Sequence, residues 1–161
     1  MNGSMTVSIC CLTYNHEKYI RQCLDGLIMQ KTEFDFEILV HDDASSDATQ
    51  SIINEYVVAY PNLIKPILQI RNQYSQGISP LRQILFPLVK GKYVALCEGD
   101  DYWTDPLKLQ KQVDFLENHP DYSLCCHMVR RINQQTGEEL KSDYISYCLL
   151  YTSPSPRDYA A

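Results

Sequence analysis

The sequence predicts an α/β fold built on a mainly parallel sheet with helices on both faces. Three observations carry this. Short apolar runs alternate with amphipathic segments along most of the chain. The runs are continuous rather than alternating, as expected of strands covered on both sides. Three of them end in polar, turn-forming residues, which such sheets place at the carboxyl rim where ligands bind.

Taken in order, Val7–Thr13 reads as the first strand. Glu17–Gln30 reads as a helix, with Tyr19, Ile20, Cys23, Leu24, Leu27 and Ile28 on one stripe. Phe36–Val40 is the second strand, followed by the turn-forming His41-Asp42-Asp43-Ala44-Ser45-Ser46-Asp47. Asp47 and Gln50 have the spacing of a capping box. Ile52, Ile53, Tyr56, Val57 and Tyr60 stripe a second helix, which Tyr60-Pro61-Asn62 stops. Ile67–Ile70 reads as a third strand, and Gly77–Leu88 as a helix interrupted by Pro80 and Pro87. Lys92–Cys97 is the fourth strand and runs into Glu98-Gly99-Asp100-Asp101-Tyr102-Trp103. Asp105-Pro106 reads as an N-cap with proline at N1, opening a helix striped by Leu109, Val113 and Leu116 and stopped at Asn118-His119-Pro120. Ser123–Val129 is a fifth strand, and a turn is expected around Thr136-Gly137.

The 161 residues fit one domain. Apolar residues make up 45% and charged residues 21%, ordinary globular usage that excludes a disordered chain. A net charge of −6 argues against a nucleic-acid partner. No run of ~18 apolar residues is present, so no membrane segment is expected, and no signal peptide is visible. Seven cysteines include the adjacent pairs Cys10-Cys11 and Cys125-Cys126 but no C-x-x-C spacing. Neighbouring strand residues face opposite ways, so the pairs read as buried thiols of a reducing cytosol. None of the four histidines shows metal-ligand spacing.

The chemistry gathers at the rim. Asp43, Glu98, Asp100 and Asp101 would repel one another there unless a cation joined them. Hard oxygen ligands suit Mg²⁺ or Mn²⁺, which is commonly held by one or two carboxylates together with substrate phosphates. A purely structural use of these acids as turn caps is the alternative. Other phosphate-binding and hydrolytic devices are missing: there is no G-x-x-x-x-G-K-[ST] loop, no G-x-G-x-x-G after the first strand and no G-x-S-x-G elbow.

Val7-Ser8-Ile9 with Thr13-Tyr14-Asn15, Val40-His41-Asp42-Asp43-Ala44-Ser45-Ser46-Asp47-Ala48-Thr49, and Glu98-Gly99-Asp100-Asp101-Tyr102-Trp103 with Pro106 together resemble the family 2 glycosyltransferases. The resemblance runs from about residue 6 to 130, in order and spacing. It implies the GT-A fold, a nucleotide-diphosphate sugar donor (often UDP-linked), a divalent metal on the diphosphate, and transfer to a saccharide, lipid-linked or protein acceptor. By the same resemblance Thr13, Tyr14 and Asn15 line the nucleotide, with Tyr14 against the base. Asp43 accepts a hydrogen bond from the base, Arg82 contacts the nucleotide, Asp100 contacts the ribose and lies beside the metal, and Asp101 ligates the metal. Glu98 stands where the family usually has Asp. Glu98 and Trp103 are candidates for a sugar pocket, although Trp103 could equally pack under the following helix.

Residues 148–158 resemble a peptide encoded by one reading frame of a widely used transposase sequencing adapter. The expected organisation is therefore 1–147 as the nucleotide-sugar-binding part of a glycosyltransferase domain, cut before the acceptor half, and 148–161 as a non-native tail. The catalytic base, needed to take the acceptor hydroxyl's proton, is then expected beyond residue 147, and little transfer is expected of this chain. A cytoplasmic location, at the inner face of the membrane in some members, follows from the resemblance. Two other functions stay open: a non-catalytic nucleotide-binding domain, and a sugar-phosphate nucleotidylyltransferase, which would want glycines where Thr13-Tyr14-Asn15-His16-Glu17 stands. A phospho-receiver domain would want an acidic pair after the first strand, which here ends in Thr-Tyr-Asn.

Overall fold

The computed structural model describes residues 5–133 and 135–140, and the backbone of 147–152. Among these residues, eight strands and three α-helices follow in the order β1 (Val7–Thr13), α1 (Ile20–Ile28), β2 (Phe36–Asp42), α2 (Thr49–Ala59), β3 (Ile64–Leu68), β4 (Tyr93–Glu98), α3 (Lys108–Asn118), β5 (Leu124–Met128), β6 (Arg131–Ile132), β7 (Glu139–Leu140) and β8 (Tyr147–Thr152). The main sheet has the order β3-β2-β1-β4-β8-β5, and β6 and β7 form a separate hairpin. β3, β2, β1 and β4 are mutually parallel. β8 enters antiparallel between β4 and β5. The α/β expectation therefore holds.

The two faces of the sheet are covered by different means. Val7, Ile9 and Cys11 of β1 and Ile38 and Val40 of β2 point to the side on which all three helices lie. Cys10, Leu39 and Val94 point to the other side, where Leu85 closes a smaller cluster. Cys10 and Cys11 thus separate to opposite faces, as strand geometry requires. Each fully buried aliphatic side chain contributes about 1.5–3 kcal/mol.

Several boundaries differ from the sequence reading, each for a local reason. α1 starts at Ile20 rather than Glu17. Glu17 is used elsewhere: its amide donates to Asp47 Oδ2 and its carboxylate accepts from Ala48 N, tying the β1–α1 and β2–α2 loops together. β3 runs over Ile64–Leu68, earlier than expected, and contains Pro66. An edge strand tolerates a residue without an N–H, and β3 is an edge. The expected helix over 77–88 is a π-helical turn, Pro80–Leu85, followed by a 3-10 turn, Phe86–Leu88. Asp47 lies one residue before the N-cap of α2, Ala48, which has no side-chain cap bond, and accepts from Thr49 N at 2.9 Å. Gln50 is not its reciprocal partner and donates instead to Asp42 Oδ1 and Gln69 O.

One buried hydroxyl joins three segments. Ser8 Oγ donates to Glu37 Oε1 at 2.8 Å and accepts from Lys90 N and Gly91 N at 3.1 and 2.9 Å. Ser8 and Glu37 are both buried. Removing the hydroxyl leaves a buried carboxylate and two amides short of a partner. Ser8→Ala should therefore lower unfolding stability by about 2–4 kcal/mol in urea titrations. A loss below about 1 kcal/mol would show that water replaces the hydroxyl.

Candidate functional site

The parallel strands deliver their ends to one rim, and the loops there are pinned to one another. Asp43 N donates to Thr13 O at 3.0 Å, and Gly99 N donates to Leu12 O at 2.7 Å, so the loops after β2 and β4 both anchor on the end of β1. Asn15 has φ of 54° and Ala44 of 64°, the left-handed region that non-glycine residues seldom enter. They hold it because Asn15 N donates to Ser45 Oγ while Asn15 Oδ1 accepts from Ser46 N. Asn15 is thereby a strut between two loops. Asp42 is likewise structural: it accepts from Ser45 N, from Ser45 Oγ and from Gln50 Nε2.

Tyr14 and Asp43 line a cleft of about 480 Å³ together with Asn72, Tyr74 and Ser75. This lies within the usual size of a small-ligand site. Asp43 is buried, with Oδ1 accepting from Gln73 N at 2.7 Å and Oδ2 from Tyr74 N at 3.1 Å. Its carbonyl accepts from Asn72 Nδ2 at 3.1 Å. Sequence reasoning missed Asn72, Tyr74 and Ser75. The available signal is their polar run just past the expected third strand, Ile67–Ile70, which is the carboxyl rim of a parallel sheet.

The acidic loop leaves the same rim, with Gly99 packed against Thr13, the residue before Tyr14. Glu98, Asp100 and Asp101 are exposed after β4. Asp101 N donates to Glu98 O at 3.0 Å, which turns the loop. Desolvation in the loop and then the Asp100 charge push the Asp101 carboxyl above the usual carboxylate range, opposed by His16. His16 Nε2 stands 3.9 Å from Asp100 Oδ2, and its Nδ1 is buried with no hydrogen-bond partner among the described residues. Gly99 fits tightly: a Cβ there would meet Thr13 Oγ1 at 2.7 Å and His16 Nδ1 at 2.9 Å. Thr13 is buried, and its Oγ1 has no hydrogen-bond partner among the described residues.

These carboxylates suit a divalent cation of the Mg²⁺ or Mn²⁺ type in one specific sense. Among the described residues no cluster of three or more ligating side chains stands ready. Two neighbouring carboxylates can supply part of an oxygen ligand set, the rest of which would have to come from water or a phosphate group.

The other expected site residues lie further out. Arg82 is exposed on the π-helical turn and does not line the cleft. Trp103 is buried in the helix-side core, with Lys108 Nζ 3.8 Å from its ring centroid. Of the two places open to Trp103, packing beneath the helices is the one observed.

His41 is fully buried on β2, and neither ring nitrogen has a hydrogen-bond partner among the described residues. Burial lowers its pKa, against smaller opposing pulls from Asp43 and Asp42. The unfolded chain therefore takes up this proton first, and stability present above about pH 6.5 is lost as pH falls below it. His127, also lowered by burial, adds the same sign. The melting temperature should fall from pH 7 to pH 5.5, with a stability loss of no more than about 1.4 kcal/mol per pH unit for each group. His41→Leu should flatten part of that slope; an unchanged slope in the variant would exclude His41 as the source.

Comparison with known proteins places this geometry. The family model described as "Glycosyl transferase family 2" matches residues 8–158. The uncharacterized protein Rv1520 of Mycobacterium tuberculosis is 45% identical over 141 residues, which covers 88% of this chain and 40% of that protein. TarS of S. aureus, solved with UDP-GlcNAc, superposes with a TM-score of 0.74 at 23% identity over 97% of this chain and 48% of that one. The mannosyltransferase PcManGT of Pyrobaculum calidifontis, solved with GDP-Man and Mn²⁺, gives a TM-score of 0.66 at 21% identity over 81% of this chain and 37% of that one. At these identities the two structures establish the fold alone. The chain spans about two-fifths to one half of the length of these relatives. No helix among the described residues is long and apolar enough to cross a membrane. With the family's motif order along the strands, the acidic loop at their carboxyl ends and a family match over most of its length, the chain belongs to glycosyl transferase family 2 and has the GT-A fold.

Proposed function

We propose that the whole protein transfers a sugar from a nucleotide-diphosphate donor, UDP-linked in preference to others, to a saccharide, lipid-linked or protein acceptor, and that this chain carries the donor-binding part. The observation that supports it most is the cleft lined by Tyr14 and Asp43, on the same rim as a loop with two exposed neighbouring carboxylates. In this reading Tyr14 lies against the base, with Thr13 and Asn15 shaping the wall behind it. Asp43 faces the base edge, Arg82 reaches the nucleotide from the π-helical turn, and Asp100 takes the ribose. Asp101 and Asp100 would hold a divalent cation, and Glu98 would stand toward the sugar. The cation would offset charge developing on the departing diphosphate. The general base that takes the acceptor hydroxyl's proton would come from the acceptor side of the whole protein.

The six described cysteines are all free thiols, which supports a reducing cytosolic setting in which nucleotide sugars are available. The reading is tested by thermal shift with a nucleotide panel in Mn²⁺. UDP should raise the melting temperature more than GDP or ADP at equal concentration. Equal responses to all three, or none, would contradict a UDP-sugar donor.

A further inference from the structure

Resting on the nucleotide-binding reading, we infer that Tyr74 is the second wall of the base subsite, and that Asp43 acts as the positioning residue that presents it. The cleft has two exposed aromatic rings, Tyr14 at 47% and Tyr74 at 76% exposure. A large aromatic that far exposed is ordinary on a loose loop, where it can fold back on the surface. The loop carrying Tyr74 is not loose. Its amide donates to Asp43 Oδ2 and the preceding amide to Asp43 Oδ1. Gly77 N donates to Tyr74 O at 3.0 Å and Ile78 N to Gln73 O at 3.1 Å, and Gly77 at φ 78° closes the turn. Ser75 N donates to Asn72 Oδ1 at 2.7 Å. The backbone on both sides of Tyr74 is therefore fixed while its ring stays in solvent.

Asp43 joins the two tyrosines. Its amide donates to the carbonyl of Thr13, the residue before Tyr14, and its carboxylate receives the amide of Tyr74. One buried acid thus fixes both lips of the cleft. A flat heteroaromatic ring is the ligand chemistry that two such rings recognise, through stacking that needs no particular base edge. Tyr74 then adds affinity for any nucleobase.

The test is calorimetric titration of this chain with UDP, GDP and inorganic pyrophosphate, each with Mn²⁺. Tyr74→Ala should weaken UDP and GDP alike, about tenfold, and leave pyrophosphate unchanged. Tyr74→Phe should bind as wild type. Asp43→Asn should weaken UDP, and adding Tyr74→Ala to it should cost less than the two single losses combined, because part of the Asp43 effect acts through the Tyr74 ring. The exposed position of Tyr74 leaves folding intact in its variants. Three results overturn the inference while leaving nucleotide binding standing: Tyr74→Ala within twofold of wild type, equal weakening of UDP and pyrophosphate, or Tyr74→Phe as weak as Tyr74→Ala. Failure of the wild-type chain to bind UDP at all overturns this inference together with the reading on which it rests.

Discussion

Asp101→Asn should abolish metal-dependent UDP binding while leaving the fold as stable as wild type, or slightly more so. The two effects have opposite signs for one reason. Desolvation and the neighbouring Asp100 raise the Asp101 carboxyl pKa, so its charge is unfavourable in the protein alone. A neutral isostere relieves that repulsion. The same charge is what a divalent cation requires, and one amide oxygen cannot replace it beside a diphosphate. Loss of a supporting group around a metal typically costs 10–100-fold in affinity, and loss of a ligand costs at least as much, so a fall on the order of 100-fold is expected. Asp121→Ala, at an exposed acid outside the rim, should change neither quantity. A variant that loses stability and binding together would place Asp101 in the architecture of the loop instead. The pH dependence follows from the same shift: with the carboxyl raised, metal binding should weaken on acidification at a higher pH than for an ordinary aspartate, because proton and cation compete for it.

Gly26→Ala should have the largest effect on the fold among conservative changes in the helices, and it should reach the site. Within a helix, alanine is favoured over glycine by up to about 1 kcal/mol. Here that preference is overridden. A Cβ on Gly26 would stand 2.7 Å from Trp103 O and 2.9 Å from Trp103 N, both backbone atoms that cannot rotate away. α1 and the segment after Asp101 are packed at glycine distance, so one must move. Overpacking of this kind costs about 1–3 kcal/mol, leaving a net destabilisation of up to about 2 kcal/mol. The softer side is the exposed acidic loop, which has few anchors beyond Gly99 N to Leu12 O and Asp101 N to Glu98 O. Metal-dependent UDP affinity should therefore fall as well, by several-fold. Urea unfolding and calorimetry on the same variant check both parts. Unchanged stability would show that α1 shifts without cost.

Much of this arrangement is legible in the sequence, and the parts that are not share a physical cause. Continuous apolar runs identify β1, β2 and β4, because burial on both faces demands that composition. The acids after β4 stand out because a charged string directly following an apolar strand is costly unless something positive joins it. Asp43 is legible as well, but not its bonds to the amides of Gln73 and Tyr74. Those join residues about 30 apart in the chain, and nothing in local sequence encodes such a contact. β3 is misplaced because Pro66 disqualifies a central strand, and only the sheet order shows that β3 is an edge. Gly77–Leu88 reads as a weak α-helix because its apolar spacing is helical. Its π-helical turn, with Pro80 at the start and Pro87 just beyond it, gives a hydrogen-bond register that spacing does not report. The same limit hides Tyr74, whose significance lies in being held rigid and exposed at once.

If the cleft at Tyr14 and Asp43 and the acids at Asp100 and Asp101 form one nucleotide-diphosphate site completed by a divalent cation, UDP and the cation must bind together. Calorimetric titration of the wild-type chain with UDP, in the presence of Mn²⁺ and again in excess chelator, measures that coupling. Saturable binding at one site that weakens at least tenfold on chelation is the expected result. UDP binding of equal strength in both conditions, or none in either, would contradict it.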